Sequence, residues 1–249
     1  MFEKDYSIRQ MREFLAEQGF RVRRHAGFRI SGDGVFQIVK WKKTAPGGAP
    51  EIRIGLQSLY SEMLPQWFTE WGCIPRYSVV NFVGEKGTTR IKRLNDHVVC
   101  MEEAPFAEQV DILITKAMPP LNQLSSQGDL LNALCQLETA CGGVVWNDMQ
   151  KFAPCLCVRD YGSAAKVVQS VLDQHDEARE AMRRVRGEGK SERDRFVDES
   201  EEDDRLRSLL AMVESKDMDC IDGYLQRNYA KNIGYWQRSG RAINGSLLN

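Results

Sequence analysis

Histidine is scarce in this chain: there are three, at positions 25, 97 and 175, and none has a metal-ligating or nucleophilic neighbour at a familiar spacing. That scarcity speaks against histidine-rich metal sites and His-dependent nucleophilic catalysis. A surplus of charge of either sign is also missing. Thirty-four Lys and Arg face 35 Asp and Glu, for a net charge of -1, so bulk electrostatics draws the chain to neither nucleic acid nor an anionic membrane. No apolar run approaches the roughly 20 residues of a transmembrane helix. The opening Met1-Phe2-Glu3-Lys4-Asp5 has charge where a secretory leader has its apolar core, so the expected location is the cytoplasm.

The seven cysteines are odd in number and irregularly spaced, as expected of reduced thiols used as small hydrophobes. Cys155-Leu156-Cys157 is the one close pair, and a structural zinc site needs a second pair or suitably spaced histidines. Gly187-Glu188-Gly189-Lys190-Ser191 resembles the end of a phosphate-binding loop. The glycine that motif requires five residues before Gly189 is replaced by Arg184, and a charged helical pattern precedes it instead of a strand. No catalytic residue, cofactor or metal is therefore assigned.

What is present is a chain of 249 residues, 42% hydrophobic and 28% charged, able to bury a core. Its most patterned stretch runs from Phe20 to Leu56. Apolar residues alternate at Phe20, Val22, Ala26, Phe28 and Ile30, and Ser31-Gly32-Asp33-Gly34 is a turn. Val35 to Trp41 and Ile52 to Leu56 follow as strands. Alternation assigns Phe20, Val22, Phe28 and Ile30, with Ile52, Ile54 and Leu56, to a buried face. Arg21, Arg23, His25, Arg29 and Arg53 fall on an outer, basic face. The middle strand has apolar residues of both parities, so it is expected to lie between neighbours with its outer face partly covered.

Helical periodicity predicts a helix over 7–18, with Ile8, Met11, Phe14 and Leu15 on one stripe, Ser7 as cap and Gly19 as stop. Four-residue steps suggest a helix over 58–72, interrupted by Pro65. Residues 79–83 and 88–92 read as a hairpin, and 97–101 as one more strand. Beyond Pro105 the pattern turns helical: a stripe from Phe106 to Ala117 ended by Pro119-Pro120, a capped helix after Ser126, and the clearest helix from Ser163 to about 186. The charged 187–204 stretch reads as a solvated linker or exposed helix start, followed by two amphipathic helices.

Between Phe20 and Arg53 there are eight basic residues and two acidic ones. A soluble, aggregation-resistant sheet surface would suffice to explain them. A platform for an acidic partner is the functional reading, with Arg21, Arg23, His25, Arg29, Trp41 and Arg53 as binding residues and His25 and Trp41 able to stack. A third reading folds the acidic run 198–204 back on this face.

Gly19-Phe20, Phe28, Gly32-Asp33-Gly34-Val35-Phe36-Gln37-Ile38-Val39 and Ile52-Arg53-Ile54-Gly55 resemble the N-terminal signature of a bacterial family, the domain of unknown function numbered forty-three zero four. Met118-Pro119-Pro120-Leu121, Leu124-Ser125-Ser126 and Leu130-Leu131 are similar to its second segment. The similarity spans about residues 7–135. Cys73-Ile74-Pro75-Arg76 fits the family pattern, whereas the paired tryptophans expected near His97 are absent. The resemblance implies a small cytosolic α+β domain, often with a helical C-terminal part, and interaction or immunity-type roles for some members; it carries over no catalytic residue.

The expected fold is α+β: an antiparallel sheet over about residues 20–101 packed on helices, with a mostly helical C-terminal half. The expected domains are 1–186, a charged linker and helical extension over 187–236, and a loose tail over 237–249. The expected function is a non-enzymatic protein-interaction or binding module, of immunity or regulator type, that binds an acidic protein through the basic face, with no membrane partner. An enzyme with a dispersed active site and a nucleic-acid-binding module are the alternatives.

Overall fold

The structure, a computed structural model, describes residues 2–23, 25–43, 50–62, 76–78, 90–94, 97–102, 106–140, 148–186 and 193–245. It is an α+β protein in two compact units. One comprises Met1–Ser58 with Gln66–Val145, the other Leu59–Pro65 with Trp146–Asn249. The second unit includes a short segment from the middle of the chain.

The first unit is built on a five-stranded antiparallel sheet in sequential order: β1 (Arg21–Arg23), β2 (Ala26–Ser31), β3 (Val35–Lys43), β4 (Pro50–Ser58) and β5 (Arg76–Ser78). A separate ribbon pairs β6 (Arg90–Leu94) with β7 (His97–Glu102). The strand expected at 97–101 is therefore present. Residues 90–92 pair with it, while the suggested partner at 79–83 lies outside the described residues. The helix suggested over 58–72 is not supported at its start, because Ser58 closes β4 and Leu59 and Tyr60 form a turn; its remainder from 63 lies outside the described residues.

α1 (Phe2–Glu17) precedes the sheet. It begins before the expected Ser7 cap and ends as expected at Gly19, whose φ of 79° is left-handed. After the sheet come α2 (Phe106–Ile112), a π-helical turn (Leu113–Ala117), α3 (Met118–Gln123) and α4 (Gln127–Ala140). Pro119-Pro120 does not end this helical run; the pair occupies the first turn of α3, where a missing N–H is tolerated. The turn before them widens, and Met118 donates its N–H to Leu113 O, five residues back. Ser126 and Asp129 cap α4 reciprocally: Asp129 N–H donates to Ser126 Oγ at 3.1 Å, and Ser126 N–H to Asp129 Oδ2 at 2.9 Å.

The register settles which residues share a face. Gly27 pairs with Val39 and Val39 with Ile54, while Gln37 pairs with Leu56 and Trp41 with Ile52. This face joins Met11, Leu15 and the stripes of α2 to α4 in one core cluster. On the other face, Phe28 pairs with Ile38 and Ile38 with Gly55, and Ile30 pairs with Phe36. Phe28, Phe36 and Ile38 are buried too, although they stand outside that cluster. β3 is thus covered on both sides, as its mixed parity implies. Phe28 and Ile54, expected on one face, are on opposite faces.

The cause is a turn that the sequence does not announce. Arg23 pairs with Ala26, so the chain reverses between them and β1 and β2 form a hairpin rather than one strand. A reversal of two residues exchanges parity: Arg21 and Arg23 share a face with Ala26 and Phe28, not with Arg29.

The second hairpin turn is locked to α4. Gly32 (φ 45°) and Gly34 (φ 66°) adopt left-handed backbone, and a Cβ on Gly32 would stand 1.8 Å from Ser125 O. Only glycine fits there. Asp33 N–H donates to Ser125 O at 2.8 Å, and Gln127 Nε2 donates to Asp33 O.

The second unit consists of a 3₁₀ turn (Asp148–Lys151), α5 (Phe152–Cys157), α6 (Tyr161–Arg186), α7 (Arg193–Ser215) and α8 (Met218–Gly245). Asp160, not Ser163, caps α6 and accepts the N–H of Ser163 at 3.0 Å. The charged stretch, read as a solvated linker or an exposed helix start, is helical from Arg193, and 187–192 lie outside the described residues. Leu206, Leu209 and Val213 bury one side of that helix, which carries its charged first half with it. The tail expected to be loose is helical as far as Gly245. No helix among the described residues is long and apolar enough to cross a membrane.

Candidate functional site

Six residues were expected to form one basic binding face, and the fold separates them. Arg21, Arg23 and Arg53 share the face opposite the core cluster. The register lines up Arg23, Ala26, Lys40, Arg53 and Ser78 in one rank across the sheet. Adjacent strands are about 4.8 Å apart. Lys40 therefore stands roughly 5 Å from Arg53 and 10 Å from Arg23 at the backbone. Arg21 lies in the next rank with Phe28, Ile38 and Gly55. His25, in the β1–β2 turn, is exposed, and its carbonyl accepts the Trp41 N–H at 2.9 Å.

Two of the six belong elsewhere. Trp41 is 3% exposed in the core cluster, so its ring is not available to stack a ligand. Arg29 stands on the helix-covered face. Its guanidinium donates to Gln37 Oε1 at 2.9 Å, Gln18 O at 2.8 Å and Asn122 Oδ1 at 2.7 Å, and lies 4.4 Å from the Phe20 ring centroid. Burial pushes it below the ordinary guanidinium value. The parity exchange between Arg23 and Ala26 moved Arg29 off the expected face, and burial of Ile52's cross-strand partner removed Trp41.

The basic face is not an open platform either. Lys40 is 6% exposed in its middle, and Phe28, Phe36 and Ile38 are buried beside it. Accessible charge is concentrated at the β1 edge, where Arg21 and His25 are exposed and Arg23 is half-buried; Arg53 is half-buried as well.

A second polar cluster, in the helical unit, could not be assembled from spacing. Asp203 of α7 is 3% exposed. Its Oδ1 lies 2.8 Å from His175 Nδ1, and its Oδ2 accepts from Arg179 Nη1 at 2.6 Å, both partners being on α6. Arg179 also reaches Asp176 at 2.5 Å, and Arg207 lies 3.9 Å from Asp203. Burial alone would raise the Asp203 carboxyl; hydrogen bonds from His175 and Arg179 and the arginine's charge outweigh it and hold it below the usual carboxylate range. Its neighbour Glu202 is raised by burial, with His175 opposing and Asp203 reinforcing. Twenty-eight residues separate His175 from Asp203, and no local signal joins them. Members of the acidic run thus find partners within their own unit: Asp203 with His175 and Arg179, Glu202 with Arg205, and Asp204 with Arg207.

Cys155 is buried within α5 and Cys157 is half-buried. Among the described residues, no group of three or more His, Cys, Asp or Glu is placed to hold a metal ion. Residues 187–191, the fragment resembling a phosphate loop, lie outside the described residues. Comparison with protein-family models, with curated proteins and with solved structures returns no match.

Proposed function

We propose that this protein is a non-enzymatic binding module whose sheet unit contacts an acidic protein partner through Arg21, Arg23, His25 and Arg53. The observation that carries this reading is the alignment of Arg23, Lys40 and Arg53 in one rank with Arg21 in the next. Three basic residues in one rank and a fourth in the next make this part of the sheet more basic than a net charge of -1 conveys. An acidic protein fits better than a nucleic acid, because the aromatic residue suited to base stacking, Trp41, is in the core. A cytoplasmic location in a bacterial cell belongs to the same proposal.

Membership of the family numbered forty-three zero four is part of it. In support, the two segments that carry the resemblance meet: the Gly32-Asp33-Gly34 turn docks on Ser125, and Gln37 donates to Leu121 O at 3.0 Å.

The test is affinity capture from the native host with the chain and with Arg21→Glu/Arg23→Glu/Arg53→Glu, followed by titration of the captured partner. At least a tenfold loss of affinity, about 1.4 kcal/mol, is expected. Identical partners and affinities after reversal would overturn the reading. Tight, steeply salt-dependent binding of a single-stranded oligonucleotide would replace it with the nucleic-acid one.

A further inference from the structure

Successive residues of a strand turn their N–H and C=O groups to opposite sides, so one known bond fixes which neighbour each residue addresses. Trp41 N–H donates to His25 O at 2.9 Å. His25 and the odd-numbered residues after it therefore address β3, and the even-numbered residues of β2 address β1. The hydrogen-bonded pairs between β1 and β2 are then Arg23 with Ala26 and Arg21 with Phe28. Val22, opposite Gly27, takes no part in that ladder. Its N–H and C=O point outward at the end of the strand order, and neither has a hydrogen-bond partner among the described residues.

The other side of the sheet shows such a position filled. The same alternation, carried across β3 and β4, turns the Ile52 N–H away from β3 and beyond the end of β5, where Gln109 Oε1 accepts it at 2.8 Å. Among the described residues, no side chain does this for Val22. An outward N–H and C=O on an edge strand is a template for another extended chain.

The faces of β1 dictate what that chain carries. A residue paired with Val22 lies on the face where Val22 is half-buried and packs against the core cluster, so an aliphatic side chain extends that apolar surface. Its two neighbours fall on the opposite face, beside Arg21 and Arg23, whichever way the added strand runs. Side chains so placed are about 5 Å apart, close enough for opposite charges to attract and like charges to repel. A second copy of this chain is thereby disfavoured, because joining Val22 to Val22 sets arginine beside arginine. The chain's own acidic run, 198–204, is helical in α7 and does not supply a strand.

We propose that the β1 edge accepts an extended segment of the acidic partner, of pattern acidic–aliphatic–acidic, as an added strand paired with Val22. This rests on the acidic-partner reading above and supplies its mode of recognition: backbone bonds at Val22, and charge at Arg21 and Arg23.

The probe is a fluorescein-labelled peptide, Thr-Thr-Glu-Val-Glu-Thr-Thr, titrated into the full chain. Saturable binding at millimolar peptide or below is expected, and Val22 amide exchange should slow at least tenfold at saturation. N-methylation of the peptide's valine removes its donor and leaves its charge unchanged, and should weaken binding at least tenfold. Val22→Pro should do the same relative to Val22→Ala, which keeps the N–H; proline is tolerated where an edge N–H faces solvent. Should Val22→Pro fail to fold, the N-methylated peptide tests the same bond on the unmodified chain. No binding at millimolar peptide, or equal binding of the methylated and unmethylated peptides, overturns strand addition. If Arg21→Glu/Arg23→Glu abolishes peptide binding while methylation leaves it unchanged, only the mode is wrong and the acidic-partner reading stands. If charge reversal leaves the captured partner's affinity unchanged, that reading falls and this one with it.

Discussion

Both units bury neutral amides and the sheet unit also buries Lys40, but among the described residues only the helical unit buries a carboxylate. In the sheet unit the amides are glutamines. Gln37 is fully buried, accepting from Arg29 and donating to Ser31 Oγ and Leu121 O. Gln109 accepts the N–H of Ile52 at 2.8 Å, and Gln127 holds the Asp33 carbonyl. An amide both donates and accepts, needs no counter-charge and does not titrate. The carboxylate of the helical unit is Asp203, kept ionised by an arginine and a histidine on the neighbouring helix. The lesson is one of failure mode: losing an amide leaves an unpaired dipole, whereas losing one member of the charged set leaves an uncompensated charge, which costs more.

Substitution tests this contrast, and the largest effect is expected at Asp203. Asp203→Ala removes the partner of His175 and one of the two carboxylates on Arg179, and should cost about 3 kcal/mol, the low end for a broken buried pair because Asp176 stays on the arginine, read as a loss of helical signal at lower urea in the helical unit. If residues of the sheet unit lose hydrogen-exchange protection at the same denaturant concentration, the two units unfold as one and the contrast fails.

Gly32→Ala is the corresponding break in the sheet unit. Left-handed backbone alone costs a non-glycine residue about 1–3 kcal/mol, and the collision with Ser125 O adds to it. Loss of protection in the Gly32 turn and at the start of α4, with α6 and α7 unaffected, is the expected pattern. Ser126→Ala, which removes half of the capping box, should cost about 1 kcal/mol and lower the melting temperature accordingly. Arg21→Glu and Arg23→Glu should change stability by roughly 0.5 kcal/mol or less, in contrast to their proposed effect on binding. A large destabilisation would make these arginines structural.

Acid sharpens the comparison. The folded Asp203 carboxyl is held low, so the unfolded chain takes up the proton first, at about pH 3.9. The stabilisation is complete well above that value and is lost as pH falls through it towards the folded value. The helical unit should therefore lose urea resistance below about pH 4, and Asp203→Asn should flatten that decline. Asp129 of the α4 cap is also lowered, by its hydrogen bonds to Ser126 and Ser125, so a smaller decline of the same sign is expected in the sheet unit. Equal acid profiles for Asp203→Asn and the unmodified chain would end the account of the buried charge.

Much of the fold was legible because it rests on local rules. Gly19 as a helix stop, the Ser31-Gly32-Asp33-Gly34 turn, the Ser126/Asp129 cap and the buried stripe Leu206, Leu209 and Val213 follow from backbone sterics, capping and period. The misplaced elements are those in which tertiary packing overrides composition. Pro119-Pro120 starts a helix where it was expected to end one, and Phe28 and Ile54 stand on opposite faces where one face was expected. The candidate site was the least legible part. Three of its six residues share the predicted face, His25 lies at the turn beside it, and Arg29 and Trp41 stand on the other face.

By itself, the sequence determined the α+β class, the strands of the central hairpin and most helices, since each depends on side chains within a few residues of one another. Only the tertiary structure decided which residues share a face and which charges meet. The reversal between Arg23 and Ala26 contains no glycine, proline or asparagine to mark it, yet it exchanges the parity of every side chain beyond it. The pairing of His175 with Asp203, and of Asn232 with the carbonyls of Leu59 and Ser61, joins residues far apart in the chain, and no local energetic preference records such a meeting before the helices pack.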